Sequence, residues 1–147
     1  MDEPQIKSIM KKVPGFVCVF ARDELLLNQR HRPFGFIANT DERDMPGKHW
    51  VAFHFAEDGI GEYFDSYGLP PLFPEFYDYL FANAPNGHFY NKSTLQCTTC
   101  LTCGHYCILF LMTRLNGGSF TDFLNLFTNN PSKNDMLIKY YFNLFNN

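Results

Sequence analysis

Apolar residues recur with helical spacing at the start of the chain and form strand-like runs after it. Ile6 and Met10 share one face of an amphipathic helix predicted over residues 3–12. Four later runs have the length and the aromatic or β-branched content of strands. These runs are Phe16–Phe20, Phe34–Ala38, Trp50–Phe55 and Glu62–Asp65. The first half of the chain therefore predicts a β-rich layer preceded by one helix.

The last two predicted strands are close enough in sequence to form a hairpin. Trp50–Phe55 and Glu62–Asp65 are separated by a short segment containing the turn pair Asp58-Gly59. A hairpin brings the beginning of its first strand close to the end of its second. We therefore expect residues around 49–51 to lie near Asp65.

The second half of the chain is predicted to be mainly helical. Three prolines introduce a helix at about 75–82, and residues 84–100 are rich in turn formers. An apolar run, Tyr106–Met112, predicts a buried helix that ends near residues 116–118. Ser119 and Asp122 have capping-box spacing, and Pro131 begins a final helix. Strands first and helices later indicate an α+β fold, and 147 residues indicate one domain, 1–147.

Composition and charge exclude several classes of function. The formal net charge is −3, and the basic stretches Lys7–Lys12 and Arg30–Arg32 are short and interrupted, so we expect weak contact with DNA at most. No apolar run approaches the roughly 20 residues of a membrane span, and the beginning does not have a signal peptide's pattern. We expect a soluble intracellular protein without membrane contact. The 17 Phe and 8 Tyr are expected to be mainly core residues.

Four of the five cysteines crowd into residues 97–107, which admits two interpretations. Cys97, Cys100, Cys103 and Cys107 have the spacing C-x2-C-x2-C-x3-C of a bacterial ferredoxin cluster. The fourth cysteine of that run serves a second cluster, for which only Cys18 remains as a ligand. Ile108 also stands where a proline is expected. An iron–sulfur or zinc module built on Cys97–Cys107 nevertheless stays open as an alternative.

Thiol chemistry is the other interpretation, with Cys103 as the nucleophile. Cys103 lies where the turn-rich segment meets the apolar helix, followed by Gly104. The partial positive charge and free N–H groups of a helix N-terminus stabilise a thiolate, and Gly104 lets a substrate carbonyl approach the backbone. Cys107 is expected to be a small buried hydrophobe, with Cys97 and Cys100 in a loop.

A thiol nucleophile needs a base, and five histidines are candidates: His31, His49, His54, His88 and His105. His105 follows Cys103 by two residues on one helix, so it points away from the thiol. His49 and His54 fall on opposite faces of a regular strand. His49, at the strand entrance, is the better base, and His54 is expected to be structural or exposed. Asp65 on the hairpin partner can orient His49, whereas Asp41, Asp44 and Asp58 are expected to be ordinary surface residues.

Four segments in this order resemble the adenovirus-type cysteine endopeptidases of the adenain family: GKHWVAF, YFDSYG, LQ and TCGHYC. They also resemble the wider clan that includes SUMO-specific proteases. His49 directly precedes Trp50, Asp65 follows sixteen positions later, and Gln96 precedes Cys103 by seven. The resemblance implies a papain-like layout, with a central mixed sheet flanked by helices and the nucleophile at a helix N-terminus.

The resemblance also implies the roles of four residues. Cys103 attacks the peptide carbonyl, His49 is general base, Asp65 orients His49, and Gln96 binds the oxyanion together with the N–H of Cys103. Adenain has Glu at the position of Asp65, so here the sequence follows the wider relatives. Trp50 is expected to pack over the site. Adenain itself is stimulated by DNA and by a disulfide-linked viral peptide, and no cysteine between Cys18 and Cys97 matches that disulfide.

These observations lead to one preferred function and two alternatives. We expect a monomeric protease of a virus or virus-like element, without metal or cofactor, that cleaves capsid or other precursors after small residues. The virion and the nucleus or cytoplasm of the infected cell are the compartments that the resemblance implies. A deubiquitinase- or deSUMOylase-type isopeptidase would use the same residues on ubiquitin-like conjugates. The metal-binding module is the second alternative.

Overall fold

A mixed five-stranded sheet forms the centre of the computed structural model, which describes residues 1–26 and 30–146. The strands are β1 (Phe16–Phe20), β2 (Phe34–Asn39), β3 (Trp50–Phe55), β4 (Gly61–Phe64) and β5 (His88–Tyr90), which follow one another across the sheet in this order. β1 runs parallel to β2, β3 is antiparallel to both of its neighbours, and β5 is parallel to β4. A short 3₁₀ turn, Arg22–Glu24, follows β1.

Five helices accompany this sheet in the described residues: α1 (Glu3–Met10), α2 (Pro74–Asn83), α3 (Cys103–Leu115), α4 (Phe120–Leu124) and α5 (Pro131–Asn146). A capping box of Asp2 and Gln5 begins α1, and the predicted capping box of Ser119 and Asp122 begins α4. The α+β class with a mixed sheet and flanking helices is thus confirmed. No helix in the described ranges has both the length and the apolarity of a membrane span.

The period-two alternation of the strands separates two hydrophobic clusters. Ile37, Ala52 and Phe64 belong to the cluster that includes α3 and residues of α1, α4 and α5. Phe36 and Phe53, their neighbours in sequence, belong to the cluster that contains α2. The sheet therefore lies between two layers of helices, and α3 packs directly on β2 and β3.

Two features of the sheet, the end of β4 and the presence of β5, differ from the sequence predictions. β4 is Gly61–Phe64, so Asp65 is the first residue after the strand and not its last. α3 begins at Cys103, where the turn-rich segment was predicted to meet the apolar helix, and its first turn packs against the N-terminal segment and Trp50. β5 was missed, because its three residues are flanked by turn formers and pair only with the distant strand β4.

Candidate active site

Cys103 is the first residue of α3, at the end of a loop that crosses from the sheet. The preceding Thr102 does not cap the helix with its side chain, so the first N–H groups of α3 keep their bonding capacity. Burial opposes the thiolate, but interactions with His49 and with the backbone of Trp50 and Gly104 outweigh it and hold the pKa of Cys103 below its ordinary value. This cysteine is therefore predisposed to act as an anion.

His49 lies directly before β3, where strand alternation no longer fixes its direction. Its Nε2 is 2.8 Å from Oδ1 of Asp65, which leaves Nδ1 for the thiol of Cys103. Burial opposes protonation of the ring, yet Asp65 and Cys103 together raise the pKa of His49 to about 9. The ring also stacks on Tyr67, with centroids 4.7 Å apart. At neutral pH these interactions favour an imidazolium beside a thiolate.

Asp65 reaches His49 because of the β3–β4 register. Ala52 near the start of β3 pairs with Phe64 at the end of β4, so His49, just before β3, and Asp65, just after β4, lie at the same end of the hairpin. The N–H of Tyr67 donates to the same Oδ1 at 2.8 Å. The buried Asn91 fixes the backbone of Asp65, accepting from its N–H at 3.0 Å and donating to its carbonyl at 2.6 Å. The carboxylate therefore has a fixed orientation.

Gln96 is buried, with 1% of its surface exposed, in the loop before Cys103. The hydroxyl of Ser66 donates to Oε1 of Gln96 at 2.5 Å, and Nε2 of Gln96 donates to the carbonyl of Cys100 at 2.5 Å. The backbone N–H of Gln96 also donates to the carbonyl of Ser66 at 3.0 Å. One amide hydrogen of the side chain is therefore engaged, and a second is left for another acceptor.

Gly104 is where the N-terminal segment meets the nucleophile. A Cβ added there would lie 3.3 Å from Cβ of Met1 and 3.4 Å from Cδ1 of Trp50. The indole N–H of Trp50 donates to the carbonyl of Met1 at 3.0 Å. Trp50 thus packs beside the start of α3, as expected.

A comparison with solved structures finds a similar chain in the ASFV pS273R protease, with a TM-score of 0.57 and 23% sequence identity. The two chains therefore share a fold. The match covers 78% of this chain and 44% of the other, so this chain spans less than half of that protease's length. This likeness is one of fold and does not single out the adenovirus branch. No protein-family model and no curated protein matches the sequence.

The four crowded cysteines have three different surroundings. Cys103 faces His49, and Cys107 lies in the hydrophobic core, where burial raises its thiol pKa well above the ordinary value. Cys97 and Cys100 lie in the loop beside Asp135. Because the four sulfurs do not converge, this arrangement does not form the ferredoxin-type cluster that their spacing left open as an alternative.

His54 and His105 lie apart from the nucleophile. His54 is buried in β3, with Nδ1 at 2.5 Å from Oε1 of Glu62, which also accepts from Nε of Arg114 at 2.7 Å. His105 packs on Phe142, with ring centroids 4.6 Å apart. Both are structural residues in this arrangement, which agrees with the sequence interpretation.

Sequence reasoning missed some residues that hold the site. Ser66 and Tyr67 appear only within the quoted segment YFDSYG, and Asn91 was given no role at the site. The expectation that Asp41 is an ordinary surface residue is wrong, because Asp41 is buried and accepts from the N–H of Gly47 at 3.1 Å. This bond ties down the loop before His49. Tyr67 could have been suspected from the sequence, because it lies only two residues after Asp65 and its N–H can therefore reach that carboxylate.

Proposed function

We propose that residues 1–147 form one cysteine endopeptidase domain. The observation that carries this proposal is the convergence of His49, Asp65 and Cys103, with the carboxylate bonded to one ring nitrogen and the thiol facing the other. This is the arrangement of an activated nucleophile, a base and a group that orients the base. The shared fold of a viral protease supports the proposal independently.

The reaction follows from the charges at the site. The thiolate of Cys103 attacks the scissile carbonyl carbon, forming a carbon–sulfur bond and pushing the carbonyl electrons onto oxygen. The N–H of Cys103 and the second amide hydrogen of Gln96 stabilise that oxyanion. As the carbon–nitrogen bond breaks, Nδ1 of protonated His49 gives its proton to the leaving amine. Water, deprotonated by His49, then hydrolyses the thioester and releases the acid product.

The substrates are precursor proteins of a virus or virus-like element, such as capsid proteins, cut after small residues such as glycine. We propose that the enzyme acts as a monomer in the infected cell and the virion. It requires no disulfide-linked peptide, because no cysteine lies between Cys18 and Cys97. Protein substrates are its main partners, and DNA contributes weak contact at most, in keeping with the net charge of −3.

The proposal is tested with a fluorogenic peptide ending in Gly-Gly and with a ubiquitin-type conjugate, each assayed with three proteins. We expect the wild type to cleave the peptide faster than the conjugate. Cys103→Ala should abolish cleavage while the circular dichroism spectrum stays unchanged, and Cys18→Ala should retain activity as the matched control. Cleavage that survives in Cys103→Ala would refute the nucleophile. A clear preference for the conjugate would favour the isopeptidase alternative.

A further inference from the structure

Two thiols and a carboxylate form a compact cluster on the loop that precedes Cys103. The sulfurs of Cys97 and Cys100 and a carboxylate oxygen of Asp135 all lie within 4.8 Å of one another. Asp135 comes from the first turns of α5, about 35 residues further along the chain. The cluster therefore joins the nucleophile loop to the C-terminal helix.

Asp135 is a buried carboxylate whose partners in the described structure are neutral. Its surface is 4% exposed. It accepts from the N–H of Cys97 at 2.9 Å and from the hydroxyls of Thr102 and Tyr106 at 2.8 and 3.0 Å. Within residues 1–26 and 30–146, no ion pair with a Lys, Arg or His side chain includes it. Because buried charges are ordinarily paired or bound to metal, this carboxylate indicates a place for a cation.

The two cysteines are arranged as a ligand pair. The N–H of Cys100 donates to the carbonyl of Cys97 at 3.2 Å, which closes a tight turn and brings the two sulfurs together. A C-x2-C turn of this kind is the usual source of two zinc ligands. Both residues are half-buried, so an ion can enter from solvent. Neither sulfur is engaged in a disulfide.

We propose that Cys97, Cys100 and Asp135 bind Zn²⁺, with a water molecule as fourth ligand. Thiolates favour zinc over calcium or magnesium, and a carboxylate is an accepted third ligand. Two thiolates and one carboxylate carry three negative charges, of which Zn²⁺ neutralises two. An iron–sulfur cluster does not fit, because Cys103 and Cys107 lie in other surroundings.

Such an ion would stabilise the loop that connects Gln96 to Cys103. The carbonyl of Cys100 accepts from Nε2 of Gln96 at 2.5 Å, so a fixed Cys100 also fixes that amide. Thr102, whose hydroxyl bonds to Asp135, directly precedes Cys103. Zinc binding itself does not depend on the proposed protease function, whereas this consequence for activity does.

The site is tested by titrating the full chain with Co²⁺, a spectroscopic substitute for Zn²⁺, after reduction with a phosphine. We expect one Co²⁺ per chain, a thiolate-to-metal charge-transfer band, and the visible d–d bands of a tetrahedral site. Zn²⁺ should displace the cobalt and bleach both bands. Since altering even an outer partner of a metal ligand costs about 10- to 100-fold in affinity, Cys97→Ser and Cys100→Ser should weaken binding by more than about tenfold.

Two further variants separate this site from the other thiols. Cys18→Ser should bind Co²⁺ as the wild type does, and Asp135→Asn should weaken binding while keeping the charge-transfer band. Three results would overturn the proposal. These are the absence of a charge-transfer band at excess Co²⁺, a band that persists unchanged in Cys97→Ser and Cys100→Ser, and rapid closure of a Cys97–Cys100 disulfide in mild peroxide that excess Zn²⁺ does not slow.

Discussion

Replacing Asp65 by Asn tests how much the carboxylate charge contributes to the site. The amide is nearly the same shape as the carboxylate, and its Oδ1 can still accept from the N–H of Tyr67 and from Nε2 of His49, at 2.8 Å in the native contacts. The variant therefore removes the charge and leaves the geometry. Any change in pH dependence then reports electrostatics.

The magnitude follows from the pKa of His49, which is about 9 against an ordinary value of 6.5. The difference, 9 − 6.5 = 2.5, corresponds to about 3.4 kcal/mol at about 1.36 kcal/mol per pKa unit. Burial opposes this rise, and Asp65 and Cys103 share it. If each contributes half of the net rise, Asp65 supplies at least about 1.7 kcal/mol, or roughly 20-fold in the equilibrium constant for protonating His49.

The assay is the pH dependence of kcat/KM with the fluorogenic peptide. The active pair needs a thiolate and an imidazolium, so the rate rises with pH as Cys103 ionises and falls as His49 loses its proton near pH 9. In Asp65→Asn the falling limb should move by about one pH unit or more toward neutrality, so kcat/KM should fall by about two- to threefold near pH 8 and by roughly 20-fold at about pH 10 and above. A falling limb that stays near pH 9 at an undiminished rate would refute this account of the pair.

Three further substitutions test other parts of the structure. Gln96→Ala should lower kcat by about 10²–10³ with little change in KM, since one oxyanion donor is worth about 2.7–4 kcal/mol; an unaltered kcat would exclude that role. Asn91→Ala should lower the free energy of unfolding, measured by chemical denaturation, by about 1–3 kcal/mol, because two buried hydrogen bonds to the backbone of Asp65 are lost. A variant as stable as the wild type would contradict this. Phe110→Ala should cost about 3–5 kcal/mol, because the ring is fully buried and stacks on Phe64 at 4.9 Å. As a control, Phe81→Ala should lower the stability far less, because Phe81 is exposed. Equal losses in the two variants would show that burial of the ring does not determine its contribution to stability.

Hydrophobic periodicity and turn residues predict those strands and helices whose pattern is contained in their own sequence. The alternation in Trp50–Phe55 and the turn at Asp58-Gly59 are sufficient to predict the β3–β4 hairpin, which the structure confirms. The apolar run of α3 likewise predicts a buried helix, and the turn-rich segment before it predicts its start at Cys103. β5 has no such signal, because its only support is pairing with β4.

The residues of the candidate site likewise fall into those with a local sequence signal and those that only tertiary packing brings together. His49, Asp65 and Cys103 were proposed from strand position and helix boundary, and the structure brings them together. Asn91 was not predicted, because its bonds to Asp65 join residues 26 positions apart. Asp135 was missed for a similar reason, since α5 reaches the cysteine loop only in the folded chain. Contacts of this kind depend on tertiary packing, and no local periodicity encodes them.

The ionisation of Cys103 beside His49 is the central claim, and the rate of iodoacetamide alkylation against pH tests it most directly. Mass spectrometry can follow Cys103 and Cys18 separately in the wild type and in His49→Ala. We expect Cys103 in the wild type to reach half its maximal rate at a lower pH than Cys18, and to lose that advantage in His49→Ala. Identical profiles for Cys103 and Cys18 in the wild type, or a Cys103 profile that His49→Ala leaves unchanged, would contradict the account.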